Sequence, residues 1–163
     1  MTSAVTAAAG TVAAQQQPQA QPQPQNRQQS MQMLLDGIAA DMAAYAELQG
    51  LLEQQFEAAV RHQRAALEQI AEAVSALVEA MEARRVQRVA CAVQLLGPAP
   101  SMAQVFALLK PEPRARLQQQ WQELEQRVLE CKRLGKRNSD LLVDQYTIMQ
   151  RVLHGEDQIY EPA

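Results

Sequence analysis

Two histidines and two cysteines have the widest chemical range in this chain, and their spacing withholds most of it. His62 and His154 stand alone, with no cysteine or carboxylate at metal-ligand spacing. Neither Cys91 nor Cys131 has a histidine nearby in sequence to activate it as a nucleophile. Both fall among apolar neighbours on separate predicted helices, the setting of buried free thiols in a reducing compartment. The six glycines are scattered and build no phosphate-binding loop. Aspartates and glutamates spread along outward faces, where solvated charge is the expected state. The sequence therefore predicts no enzyme, no cofactor and no metal site.

The informative spacing belongs to apolar and amide residues. From Arg114 to Leu153, about forty residues contain no proline and one glycine. Leu117, Trp121, Leu124, Val128, Cys131, Asn138, Leu142, Gln145, Met149 and Val152 recur at steps of three, four or seven, the seam of a coiled-coil-like helix. Its first half is apolar. Gly135 then falls between Cys131 and Asn138, and Gln145 follows. A helix that places a glycine and two amides on its packing stripe gives up stability there, which is the habit of positions that fix register or receive another chain.

Neighbouring residues read more plainly. Lys132 with Lys136, and Arg133 with Arg137, share helix faces and suit a solvated or acid-contacting surface better than a groove-reading segment. Trp121, between Leu117 and Leu124, is expected in the core, as are Met81 and Met102. Met149 is different: it lies where the last helix outruns its neighbours, and a flexible thioether on an exposed stripe suits an adaptable binding surface.

Four segments must position these residues. Residues 1–30 are rich in Gln, Pro and Ala, with Pro18, Pro22 and Pro24 against both helix and sheet, and read as a disordered tail. Order is expected from Ser30, taken as an N-cap. A first stripe is Leu35, Ile38, Met42, Tyr45, Leu52, Phe56 and Ala59; a second is Leu67, Ile70, Val74, Leu77, Met81, Val89, Val93 and Leu96. One helix over both would be ~100 Å long at 1.5 Å per residue, so the rhythm slip near Arg61 to Gln63 marks the turn of an antiparallel hairpin. Gly97-Pro98-Ala99-Pro100 stops the second arm, Ser101 caps a short helix to Leu109, and Pro111-Glu112-Pro113 opens the last helix. Gly155 is expected to end it, leaving residues 156–163 as a mobile tail. At roughly 60 Å that helix would outrun the hairpin by one or two turns.

The fold class is thus all-α: an antiparallel helical hairpin plus a long C-terminal helix, forming a three-helix coiled-coil-like bundle over residues 31–155. The composition agrees, with 4% aromatics and a formal charge of -3 that gives no reason to expect nucleic acid. No run approaches the ~20 apolar residues of a membrane span, and no basic residue precedes Arg27 as a signal peptide would require, so a cytoplasmic location is expected.

The stretch from Glu130 to Leu142 resembles the signature of the flagellar export chaperone FlgN family: a leucine–asparagine pair, two polar residues, an asparagine–glycine pair, one variable residue and two leucines. Leu134, Asn138, Leu141 and Leu142 match it, while Gly135 replaces the first asparagine and Ser139 the glycine. The resemblance extends over residues 31–160. It implies a cytoplasmic type III export chaperone that binds the C-terminal region of hook-associated proteins, prevents their early self-association and delivers them to the flagellar export gate. Carried over, the client-binding positions are Leu134, Asn138, Leu141 and Leu142; periodicity adds Gln145, Met149 and Val152. The resemblance also implies gate docking through Tyr160. The expected protein is a monomer or weak homodimer. Without the resemblance, the residues support an all-α interaction protein whose stripe from about Leu134 to Val152 accepts an amphipathic helix or a disordered segment of a partner; the alternatives are a structural coiled-coil protein that homo-oligomerises through the stripe, or a small helical regulatory antagonist.

Overall fold

The structure, a computed structural model, describes residues 24–160, and the side chains of residues 26–155. Four helices follow in order: α1 (Pro24–Val60), α2 (Arg64–Leu96), α3 (Met102–Ala107) and α4 (Pro111–Tyr160), with no strand among the described residues. The expected all-α bundle with an antiparallel hairpin is what forms. The residues before Pro24, most of the expected Gln/Pro-rich tail, lie outside the described part.

Two boundaries differ from the sequence expectation. α1 begins at Pro24, where a first-turn proline loses no hydrogen bond. Ser30 is therefore not an N-cap but a buried residue inside α1, and its hydroxyl donates to Gln94 Oε1 of α2 at 2.6 Å. At the other end, α4 runs through Gly155 to Tyr160. A lone glycine in a helix costs only about 1 kcal/mol and does not by itself stop it.

The hairpin turn falls where the rhythm slips, at Arg61 to Gln63. His62 takes a left-handed backbone (φ 54). Its N–H donates to Ala59 O at 3.2 Å and that of Gln63 to Ala58 O at 2.9 Å. This paired closure of the last helical carbonyls normally carries a glycine at the position His62 holds. Ser101 caps α3 through a reciprocal box with Gln104, and the Arg114 guanidinium donates to Phe106 O and Leu109 O, both at 2.9 Å, tying the first turn of α4 to the end of α3.

α1 is the central helix. It packs against α2 on one side and α4 on the other, while no Cα of α2 comes within 8 Å of a Cα of α4. One apolar cluster joins Leu34, Ile38, Cys91, Ala92, Leu95, Val105, Leu117 and Leu124; a second joins Leu48, Leu52, Cys131 and Leu134. Val89 and Val93, expected on the packing stripe of α2, are instead exposed. The reason is Asp41, which is buried on α1 and pairs with Arg84 (2.8 Å) and Arg88, so two arginines take the inward positions after Met81 and shift the stripe to Cys91, Ala92 and Leu95. Arg88 also lies over the Trp121 ring at 5.7 Å, linking α2 to α4. Trp121 is half-buried against the first cluster, as its place on the seam predicts.

Candidate functional site

The polar half of the α4 seam is a register device. Cys131 Sγ donates to Tyr45 O at 3.6 Å, Asn138 Nδ2 to Leu52 O at 2.7 Å and Gln145 Nε2 to Ala59 O at 2.9 Å. All three pairs have a sequence separation of 86, so α4 runs parallel to α1 with one polar rung per heptad. Asn138 is 1% exposed and also donates to Gln55 Oε1 at 2.9 Å. A buried amide with these partners costs little, whereas in a slipped register it would be unsatisfied. Beside it, Arg137 stacks on Phe56 at 3.9 Å and reaches Glu53 at 3.2 Å.

The structure therefore divides the predicted client-binding residues. Leu134 (0% exposed) and Asn138 are core against α1 and offer no accessible surface. Leu141, Leu142 and Gln145 are half-buried, and Gln145 serves the end of α1. Met149 (49% exposed) and Val152 (58%) are open, as expected of the part that outruns the hairpin. Tyr160 is the last residue of α4, and its side chain lies outside the described ones.

Past Gln145 the seam loses its partner because α1 ends at Val60. At 1.5 Å per residue the remaining α4 projects about 22 Å, more than the one or two turns expected, and its run past Gly155 supplies the last five residues of that length. Leu141, Leu142, Tyr146, Ile148, Met149, Val152 and Leu153 fall within one half of its circumference, centred on the face that α1 covers one heptad earlier. Tyr146, Ile148 and Leu153 were missed by following a single stripe; the four-residue steps from Leu142 to Tyr146 and from Met149 to Leu153 were the available signal.

Among the described residues no group of three or more His, Cys, Asp or Glu side chains could hold a metal, and no helix is long and apolar enough to cross a membrane. Cys91 and Cys131 are free and buried, and burial pushes both thiols up, away from the reactive thiolate. The basic cluster is largely neutralised: Arg133 pairs with Glu130 at 2.6 Å and Lys136 with Asp140 at 2.7 Å. What remains is an apolar helical overhang held at fixed register by the bundle beneath it, a surface of the kind that suits protein binding.

No curated protein and no solved structure matches the chain. The family model described as FlgN protein does, over residues 30–155, which takes in the hairpin, α3 and most of α4. That family is one of chaperones and not of enzymes. An all-α bundle matched over most of its length leads to one assignment: the chain belongs to the FlgN family of flagellar export chaperones.

Proposed function

We propose that this chain is a cytoplasmic chaperone that holds the C-terminal helical segment of a hook-associated protein on the α4 overhang and delivers it to the flagellar export gate. The observation that carries this reading is the overhang itself, where the α1–α4 seam continues with Met149 and Val152 exposed and no helix of the bundle opposite. An amphipathic client helix would bury that stripe at ~25 cal/mol per Å², offset by the cost of ordering the client, giving retention with release. Leu134 and Asn138 act indirectly here, by fixing the register of the helix that carries the surface. Tyr160, at the far end of the same helix, is proposed as the gate contact.

Calorimetric titration of the chain with the C-terminal segments of hook-associated proteins tests this. We expect one-to-one binding with a negative heat-capacity change, weakened roughly tenfold or more by Met149→Asp or Val152→Asp with helicity unchanged. Undiminished affinity in both variants would remove the overhang from the site. Tyr160→Ala is expected to leave client affinity as it is and to reduce secretion. A stable dimer that ignores every client would instead mean that two overhangs close on each other.

A further inference from the structure

The overhang carries more apolar surface than one helix covers, and the bundle beneath it shows how much one helix takes. α4 has one long neighbour, α1, and fully buries two heptad positions against it. Leu117, Leu124, Cys131 and Asn138 recur every seven residues at the first, and Leu134 holds the second. Two positions per heptad make the narrow seam of a single partner. α1 has a long helix on each of two sides and buries a third position: Leu52 and Ala59 hold one, Leu34 and Leu48 the next, Ala44 and Ala58 the last.

Past the end of α1, apolar residues of α4 occupy two complete seams side by side. The seam that α1 leaves continues through Leu141, Gln145, Ile148 and Val152, at steps of four, three and four. One residue further on, Leu142, Tyr146, Met149 and Leu153 repeat the same steps. The two seams lie about 100° apart around the helix, so a partner seated on one leaves much of the other in water. Ile148, Val152, Tyr146, Met149 and Leu153 are all between 49% and 60% exposed. The heptad position of Tyr146 and Leu153 is polar all along the base, where it is held by Gln118, Glu125, Lys132 and Ser139, all exposed. It turns apolar only where α1 has ended.

We propose that the client presents two amphipathic helices of one chain, a helical hairpin that seats one helix on each seam. The overhang then becomes the central helix of a three-helix unit, as α1 is of the base. The inference rests on the client-binding reading above and adds the form of the client segment. The first seam is contiguous with the α1–α4 interface, whose last rung is Gln145 on Ala59 O, so a helix seated there prolongs a packing the chain already uses. The second seam has no such precedent on the base, and the change from Ser139 to Tyr146 at one heptad position marks it as a separate surface. A hairpin suits it better than two separate chains. Once the first helix is seated, the second arrives tethered, at an effective concentration on the order of millimolar, so a short seam is enough to hold it. Each client helix is expected to carry Leu, Ile or Val at three- and four-residue steps, with a short connection between the two.

Two synthetic peptides from the C-terminal end of one hook-associated protein test this: about 20 residues, enough for one helix along the overhang, and about 45, enough for a hairpin. Each would be titrated calorimetrically into the full chain and into Ile148→Gln and Leu153→Gln, one variant per seam, with helicity followed in parallel. Glutamine is a good helix former, so neither change is expected to melt the overhang. Val152→Gln and Tyr146→Gln read the same two seams should either variant lose helicity. The long peptide is expected to bind one-to-one and at least tenfold more tightly than the short one, and each substitution to weaken it roughly tenfold. A short peptide within about twofold of the long one would overturn the hairpin, as would a substitution on either seam that leaves long-peptide affinity within about twofold. Two long peptides per chain would overturn it too, because separate chains would then fill the seams. In each of these cases a client on the overhang would still stand. If the unmodified chain bound neither peptide, the hairpin and the client-binding reading would fall together.

Discussion

A few polar residues decide how this bundle is aligned. Cys131, Asn138 and Gln145 each donate to a main-chain carbonyl of α1 one heptad apart, using acceptor capacity that the helix leaves over. The middle rung is the most fully satisfied, because Asn138 is enclosed, donates to Leu52 O and Gln55 Oε1, and accepts from Arg137 Nε. Asn138→Ala is expected to cost about 1–3 kcal/mol in urea denaturation, the usual penalty for breaking a buried hydrogen bond, and no loss would show that apolar contacts alone set the register. Asp41 plays the equivalent part toward α2. Asp41→Ala leaves Arg84 and Arg88 facing an apolar wall, and we expect a loss of about 2–3 kcal/mol, below the 3–5 typical of a broken fully buried pair because both arginines retain some solvent. The thiols follow from burial as well. With both pushed up, each stays protonated at neutral pH, and alkylation should be slow in the folded chain and fast in denaturant. The sign for stability is that of a group with a raised folded value. Its contribution is complete below the ordinary thiol value of 9.0 and is lost as pH rises through the higher folded one.

At the scale of the element, the turn between α1 and α2 holds the clearest compromise. His62 occupies the left-handed position that ends α1, where a side chain costs roughly 1 kcal/mol relative to glycine. His62→Gly is accordingly expected to raise stability by about 0.5–1 kcal/mol, and an unchanged thermal midpoint would mean that the gain is cancelled by unfolded-state entropy. The absence of glycine is also why the turn was legible only as a slip in rhythm. Elsewhere the strong punctuation was sufficient: Gly97-Pro98 and the Ser101–Gln104 box ended and began helices where they were expected to. Periodicity of apolar residues located α4 and its seam, but it could not see that Arg84 and Arg88 would turn inward, because the buried acid that recruits them is forty-odd residues away. A motif match likewise could not tell that Leu134 and Asn138 hold α4 in place, whereas Met149 and Val152, added by periodicity, lie on the part that α4 presents. That division depends on where α1 stops, and so on the hairpin turn.

The described residues form a packed base with one helix projecting from it, and the two parts differ in what maintains them. Along α1 the seam of α4 is covered by Leu52, Ala59 and their neighbours, so opening its backbone there requires separating packed helices. Beyond Gln145 helicity depends on local propensity, with Gly155 lowering it, and an uncovered helix of about fifteen residues is marginal in water. Amide hydrogen exchange should therefore show a step along α4: slow from Leu117 to about Leu142, and fast from Tyr146 onward in the free chain. Adding a C-terminal peptide of a hook-associated protein is expected to slow exchange in the fast segment by an order of magnitude or more, because amides there would open only after the client leaves. Protection confined to that segment would place the client on the overhang alone. A uniform slow profile along all of α4 before any client is added would mean that another chain already covers the overhang, and the projecting helix would then be an interface between copies.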